Sequence, residues 1–158
     1  MGIKKFVYSL YETSLLNKLE KNDLPKHIGL IHDGHRRYAR EKGLLSYEVS
    51  YRIGINTFKE CLSWCSNLNI NHITSWLLSK ENLNRPKEEL GPYYKVLEEL
   101  FKDFTTSDTF DDYKIRFVGS KELLPESMID LISKVESIRS IGGKELTIAL
   151  GYGGRQEI

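Results

Sequence analysis

The sequence predicts an α/β fold: a mostly parallel sheet with helices on both faces. Three observations lead there. Short apolar runs alternate with longer segments of helical periodicity, this alternation repeats along the chain, and three of the predicted strands run straight into polar or glycine-rich loops. Repeated strand–helix alternation implies right-handed crossovers and a parallel sheet. With 158 residues, 40% of them apolar and 28% charged, the chain reads as one soluble globular domain able to bury a core without staples.

Each element has its own signal. Ile3 to Leu19 places Ile3, Phe6, Val7, Leu10, Leu15, Leu16 and Leu19 at helical spacing and ends before Asp23-Leu24-Pro25. This first segment, residues 1–24, is an amphipathic helix that packs on the domain surface, meets a second copy, or lies on lipid. The domain proper is 25–158. His27 to His32 is an apolar run of strand length, and the basic segment His35 to Lys42 reads as a helix broken by Gly43. Tyr47 to Leu68 carries Val49, Ile55, Phe58, Leu62, Cys65 and Leu68 at helical spacing. His72 to Leu78 is a second strand. Pro86 suits the first turn of a helix running to Phe104, with Leu90, Tyr94, Leu97, Leu100, Phe101 and Phe104 as its apolar residues. Lys114 to Val118 is a third strand closed by Gly119. Pro125 to Ile138 is a helix with Met128, Ile129, Leu131, Ile132 and Val135 on its apolar side. Glu145 to Leu150 is a fourth strand running into Gly151-Tyr152-Gly153-Gly154-Arg155, and another helix begins near Ile158.

Composition narrows the function. Lys plus Arg is 23 and Asp plus Glu is 22, for a formal net charge of +1. No global field draws the molecule to nucleic acid or anionic lipid, so any anion chemistry rests on a local cluster. Cys61 and Cys65 lie four apart on one helix and read as core thiols rather than a disulfide framework. No apolar run approaches the roughly 20 residues that span a bilayer, and no signal-peptide core is present. The expected location is the cytoplasm, with peripheral membrane contact as an extension.

In parallel α/β sheets, ligands bind beyond the carboxyl ends of the strands. The three loops at those ends, Asp33 to Arg37, Ser79 to Arg85 and Gly151 to Arg155, are therefore predicted to share one site. In the first, Gly34 allows a sharp turn and close backbone approach. The helix start after it has free N–H groups, and Arg36, Arg37 and Arg40 add fixed charge suited to phosphate oxygens. A carboxylate beside a phosphate cradle repels the anion unless a cation lies between them, so Asp33 reads as a Mg²⁺ ligand. The alternative for the same residues is an Asp N-cap on a basic, solvated helix. His32 and His35 lack further ligands at metal-binding spacing. The second loop gathers Ser79, Asn82 and Arg85 ahead of Pro86; a capped helix start accounts for part of it.

Together these segments resemble the cis-prenyltransferases, the family of undecaprenyl and dehydrodolichyl diphosphate synthases. The match rests on H-I-G-L-I-H-D-G-H-R-R-Y-A at 27 to 39, S-K-E-N-L-N-R-P-K-E-E at 79 to 89, V-G-S-K-E-L-L-P-E at 118 to 126 and G-Y-G-G-R-Q-E-I at 151 to 158. It spans Pro25 to the last residue, and Tyr38 is nearer the archaeal and eukaryotic forms. The resemblance implies an enzyme that condenses isopentenyl diphosphate with an allylic diphosphate, using Mg²⁺, to give a cis-polyprenyl diphosphate. By position, Asp33 is the essential aspartate that organises Mg²⁺ and diphosphate. Gly34, His35, Arg36, Arg37 and Tyr38 fall in the allylic diphosphate loop. Ser79 and Asn82 position the reacting diphosphates, with Asn82 linked to removal of the isopentenyl proton. Arg85 contacts a diphosphate, and Glu89 is a family acidic position of underived role. The growing hydrocarbon needs an apolar channel, where each buried CH₂ is worth about 0.8 kcal/mol. The apolar residues of Tyr47 to Leu68 and Pro86 to Phe104 serve as such walls or as ordinary core.

Departures from the family pattern accompany the match. His35 stands where the family usually has Asn. The Gly43 to Gly54 segment lacks the usual Arg and His, with Ser46 or Tyr47 near the first position and Tyr51 at the second; Arg36 and Arg52 are candidate replacements. Leu77 occupies a channel position that is often small, which implies a short product. Family members continue past the position of Ile158 into a part that supplies the isopentenyl diphosphate arginines and serine, a second Mg²⁺ carboxylate, the last strands and much of a homodimer contact. The fold is thus expected to be incomplete relative to the family, carrying the allylic half of a site. A non-catalytic partner subunit is the alternative function, but such subunits tend to lose the first-loop aspartate and arginines present here. An unrelated nucleotide- or RNA-binding module would want a GxxxxGK[ST] loop or a basic patch interleaved with aromatics, neither of which occurs, and no nucleic-acid partner is expected.

Overall fold

The computed structural model describes residues 3–19 and 24–157. Four strands, β1 (His27–Ile31), β2 (His72–Ser79), β3 (Tyr113–Val118) and β4 (Lys144–Tyr152), form one sheet in the order β1-β2-β4-β3. Every neighbouring pair is parallel, with Ile31 opposite Trp76, Ser79 opposite Tyr152 and Val118 opposite Ala149. All four strands therefore end on the same side of the molecule. β2 and β4 extend past the predicted ends, because Ser79 pairs with Tyr152 across two register shifts in β2.

Three helices cover the sheet: α3 (Tyr47–Asn67), α4 (Lys87–Thr106) and α5 (Glu126–Ile138). Their apolar stripes meet Ile73, Ile115, Phe117, Leu146 and Ile148 in a single core. Alternation along a strand sends neighbouring side chains to opposite faces. Ile28 and Leu30 accordingly pack on this core, while His27, Gly29, Ile31 and Arg116 are exposed. The parallel sheet with packed helices is as the sequence predicts, but among the described residues those helices lie against one face rather than both, because the alternate positions Gly29, Ile31 and Arg116 stay exposed.

The helical phases differ in detail from those predicted. On α4 it is Tyr93, not Tyr94, that is fully buried, with Val96, Leu97, Leu100 and Phe101 beside it; both tyrosines suit the periodicity, and packing selects one. Val49 of α3 faces solvent. Pro86 is the N-cap of α4, with extended ψ of 146°, rather than a first-turn residue. Arg139 locks the far end of α4: its Nε donates to the Phe104 carbonyl at 2.7 Å and Nη2 to the Ser107 carbonyl at 3.0 Å.

The remaining helices are short or separate. α1 (Ile3–Lys18) is helical as expected, but its described side chains, from Phe6 to Leu19, are all exposed, so it does not pack on the domain surface. Asp23, the expected stop, lies outside the described residues, as does Ile158 of the last motif. α2 (His35–Glu41) follows β1, and α6 (Gly154–Glu157) follows β4. No described helix is long and apolar enough to cross a membrane.

Candidate active site

The site forms where β1 and β2 end. After Ile31 the chain turns at Asp33 and enters α2 through Gly34, whose φ of +93° is a left-handed conformation that glycine adopts without strain. That turn folds the Asp33 side chain back, so Oδ1 accepts a hydrogen bond from the Gly34 amide at 2.6 Å. One helical turn later Arg37 returns to the same carboxylate, with Nη2 3.3 Å from Oδ2. Both side chains remain largely exposed, at 77% and 68%, and so stay open to a ligand.

β2 delivers the second loop. Ser79 Oγ accepts from the Asn82 backbone N–H at 3.2 Å and from its side-chain Nδ2 at 2.8 Å. With the amide nitrogen so engaged, the amide oxygen is the Asn82 group left to accept a proton or hydrogen bond. A 3-10 turn (Glu81–Asn84) then places Arg85 at the entrance to α4, where Nη1 lies 3.1 Å from Glu89 Oε1. Arg36 Nε approaches the same oxygen at 3.7 Å, and the buried Tyr51 hydroxyl donates to it at 3.5 Å.

Both loops open on one cavity of about 510 Å³. Asp33, Gly34, His35, Arg36, Arg37 and Arg40 line it from the first loop; Ser79, Asn82 and Arg85 line it from the second. Its deep wall is Tyr51, Leu77 and Tyr93, all buried, with the Tyr51 and Tyr93 rings 4.6 Å apart and the Tyr93 hydroxyl donating to the Leu77 carbonyl at 2.5 Å. Burial, with the nearby Glu89 carboxylate adding to it, pushes the Tyr51 phenol up to about 12, so it acts only as a neutral donor. The cavity therefore has a charged mouth and an apolar, aromatic interior.

The histidines are structural members of this wall. His32 Nε2 is 2.7 Å from Ser75 Oγ, and burial, reinforced by neighbouring His35, lowers its pKa to about 4. Burial likewise lowers His35, against the raising influence of the Ser50 backbone and Asp33. The His35 ring sits edge-on to Tyr51 at 5.5 Å and against α3, where a Cβ on Gly54 would fall 2.1 Å from its Cε1.

Some expected site residues lie elsewhere. Tyr38 lines a second cavity of about 410 Å³ on the α3 side of the first loop, shared with Ile53, Phe58 and Cys61. The Gly151 to Arg155 loop does not line the main cavity. It braces the second loop instead: the Lys80 amide donates to the Tyr152 carbonyl at 3.2 Å. Arg52 does not replace the missing arginine, because it pairs with Glu48 and Glu99 on the outer surface of α3 and α4. Ser46 caps α3 by accepting from the Glu48 amide at 3.1 Å. Sequence reasoning did not single out Trp76 or Tyr93 as cavity residues. The signal for Trp76 is its place two residues before the end of the second predicted strand, beside the loop that follows, whereas Tyr93 is hidden by the equal claim of Tyr94.

Among the described residues no group of three or more His, Cys, Asp or Glu side chains could enclose an ion. Asp33 presents one exposed carboxylate at a cavity mouth otherwise lined by arginines. That donor set fits a Mg²⁺ ion held largely by phosphate oxygens and water, and does not fit an all-protein cage.

A parallel sheet with an arginine-lined cavity at the carboxyl ends of its strands defines the class, an α/β protein whose cationic site lies where such sheets bind their ligands. Residues 31–158 match the family described as "Putative undecaprenyl diphosphate synthase", and the chain belongs to that prenyltransferase family. Among its relatives, a tritrans,polycis-undecaprenyl-diphosphate synthase (geranylgeranyl-diphosphate specific) of Methanopyrus kandleri is 41% identical over 98% of this chain and 58% of that protein. A (2Z,6E)-farnesyl diphosphate synthase of Thermobifida fusca is 34% identical over 100% of this chain and 61% of that protein. The crystal structure of lavandulyl diphosphate synthase from Lavandula x intermedia, in complex with dimethylallyl diphosphate, superposes with a TM-score of 0.77 at 32% identity, covering 85% of this chain and 58% of that one. The chain spans about three-fifths of the length of these relatives.

Proposed function

We propose that this chain carries the allylic diphosphate site of a cis-prenyltransferase. The reaction transfers an allylic isoprenyl group to isopentenyl diphosphate, releasing pyrophosphate and one proton and forming a cis double bond. The observation that carries this reading is the convergence of Asp33, Arg37, Asn82 and Arg85 on one cavity whose interior is apolar. A diphosphate and a hydrocarbon tail need those two surroundings side by side.

The roles follow from chemistry. Leaving of pyrophosphate builds negative charge on its oxygens, and fixed guanidinium donors stabilise that charge more than they stabilise the ground state. Arg36, Arg37 and Arg85 serve as those donors, and the Gly34 turn brings backbone amides close. Asp33 would hold Mg²⁺, which when bound neutralises the departing diphosphate. Asn82, fixed by Ser79, offers its amide oxygen towards the proton lost from the isopentenyl group. His35 shapes the loop from behind. Among the names of relatives, those with farnesyl, lavandulyl and undecaprenyl products support a prenyl diphosphate substrate class for this chain as well.

Retention of the aspartate and arginines favours the catalytic reading over that of a non-catalytic partner subunit. A homodimer is the assembly we expect of the whole protein. The exposed apolar residues of α1 support its lying at a subunit contact or a lipid surface.

The test is incubation of the whole protein, or of this chain with a polypeptide that completes the site, with labelled isopentenyl diphosphate, a farnesyl or geranyl diphosphate primer and Mg²⁺. Label entering a longer, solvent-extractable prenyl product is expected. Absence of such product, with or without a second polypeptide supplied in trans, overturns the reading.

A further inference from the structure

The arginines at the cavity mouth are not independent. Arg36 comes from α2 and Arg85 from the loop before α4, yet both approach Oε1 of Glu89, at 3.7 and 3.1 Å. Glu89 sits in the first turn of α4 with its side chain only 13% exposed, behind the cavity rather than in its lining. The Tyr51 hydroxyl, on α3, donates to the same oxygen. One carboxylate thus joins three elements at the point where the two substrate loops meet.

We propose that Glu89 is a positioning residue that holds Arg36 and Arg85 side by side as a single anion-binding unit. This rests on reading the cavity as a diphosphate site. Two guanidinium groups facing one cavity repel each other and, on long side chains, would spread into solvent when no anion is bound. A carboxylate behind them offsets the repulsion and limits the rotamers each samples. It does so at small expense in donors. Arg36 engages Glu89 through Nε and keeps both terminal nitrogens, while Arg85 engages it through Nη1 and keeps Nη2 and Nε. Each fork therefore still presents N–H groups to phosphate oxygens. Preorganised donors bind more tightly than donors ordered only on arrival of the ligand.

The sign of one substitution separates this proposal from a simple field effect. Glu89→Gln removes a negative charge close to an anion site. If Glu89 only opposed the anion, the variant would bind more tightly. If it positions the arginines, the variant binds more weakly.

The measurement is calorimetric titration of the chain with inorganic pyrophosphate, for the wild type, Glu89→Gln, Arg36→Ala and the double variant, with thermal unfolding of each as a control. Wild type that does not bind pyrophosphate defeats the diphosphate reading of the cavity itself. If wild type binds, we expect Glu89→Gln to weaken the affinity roughly tenfold, as loss of a supporting carboxylate does elsewhere, with its unfolding midpoint kept. The Arg36→Ala loss should then be smaller in the Glu89→Gln background than in the wild type. Equal or tighter binding by Glu89→Gln, or losses that simply add, overturns the positioning role. A mere fold defect would lower the unfolding midpoint without coupling the two residues.

Discussion

Arg37 Nη2 lies 3.3 Å from Asp33 Oδ2, across a turn that only the left-handed Gly34 permits at ease. The pair is exposed, so it contributes little to stability. Its consequence is arrangement: a carboxylate and a guanidinium stand together at the mouth of a cavity with an apolar interior. Removing the carboxylate should abolish the proposed chemistry and spare the fold. Asp33→Ala is expected to lower isopentenyl incorporation by at least about a hundredfold, the scale of losing one fixed electrostatic stabiliser, while its circular dichroism and unfolding midpoint match the wild type. Unchanged activity would remove Asp33 from the mechanism.

Leu77 is the test of product size. It is 4% exposed and closes the deep wall of the cavity with Tyr51 and Tyr93. Leu77→Ala should let the prenyl chain grow longer, read by mass spectrometry of the extracted products, and should destabilise the fold by about 2–5 kcal/mol as a buried large-to-small change. Product length that does not increase would sink the idea that this side chain limits elongation.

Gly54 reports on His35. A methyl group at residue 54 would collide with the His35 ring and drive it from the wall against Tyr51. Gly54→Ala is therefore expected to raise the KM for the allylic diphosphate by roughly tenfold or more, because misplaced site groups lose oriented binding. An unaltered KM would show that the ring can shift without disturbing the first loop.

The thiols give a pH prediction. Burial pushes both Cys61 and Cys65 above the usual thiol pKa, with Glu60 adding to the first and Cys61 to the second. Thiolate is the reactive form, and raising the pKa lowers its fraction at any pH below that value. Alkylation by iodoacetamide at pH 8 should thus be slower than for free cysteine and should still be rising steeply at pH 9. Rates equal to free cysteine at pH 8 would contradict the burial argument.

Much of this was legible in the sequence because local physics sets it. Strand and helix periods located every major element within a residue or two, and Asp33-Gly34 followed by arginines marked the first loop. Other features depend on packing that no local pattern encodes. Tyr93 and Tyr94 fit α4 equally, and only the contact with Tyr51 chooses between them. Arg52 looked available to the site until Glu48 and Glu99 engaged it. The Gly151 to Arg155 loop has the composition of a ligand loop but is consumed by backbone pairing between Ser79, Lys80 and Tyr152. Glu89 gave no clue to its role, since the ion pair with Arg36 spans 53 residues of sequence.

On the proposed reading, the β1–α2 and β2–α4 loops grip one diphosphate together. Its most direct test is titration of the chain with farnesyl thiodiphosphate, an unreactive allylic analogue, in the presence of Mg²⁺. One saturable site is predicted, weakened about 10- to 100-fold by Arg37→Ala and again by Arg85→Ala, as expected for losing a charged hydrogen bond from either loop. Binding that neither substitution disturbs, or no binding at all, would contradict it.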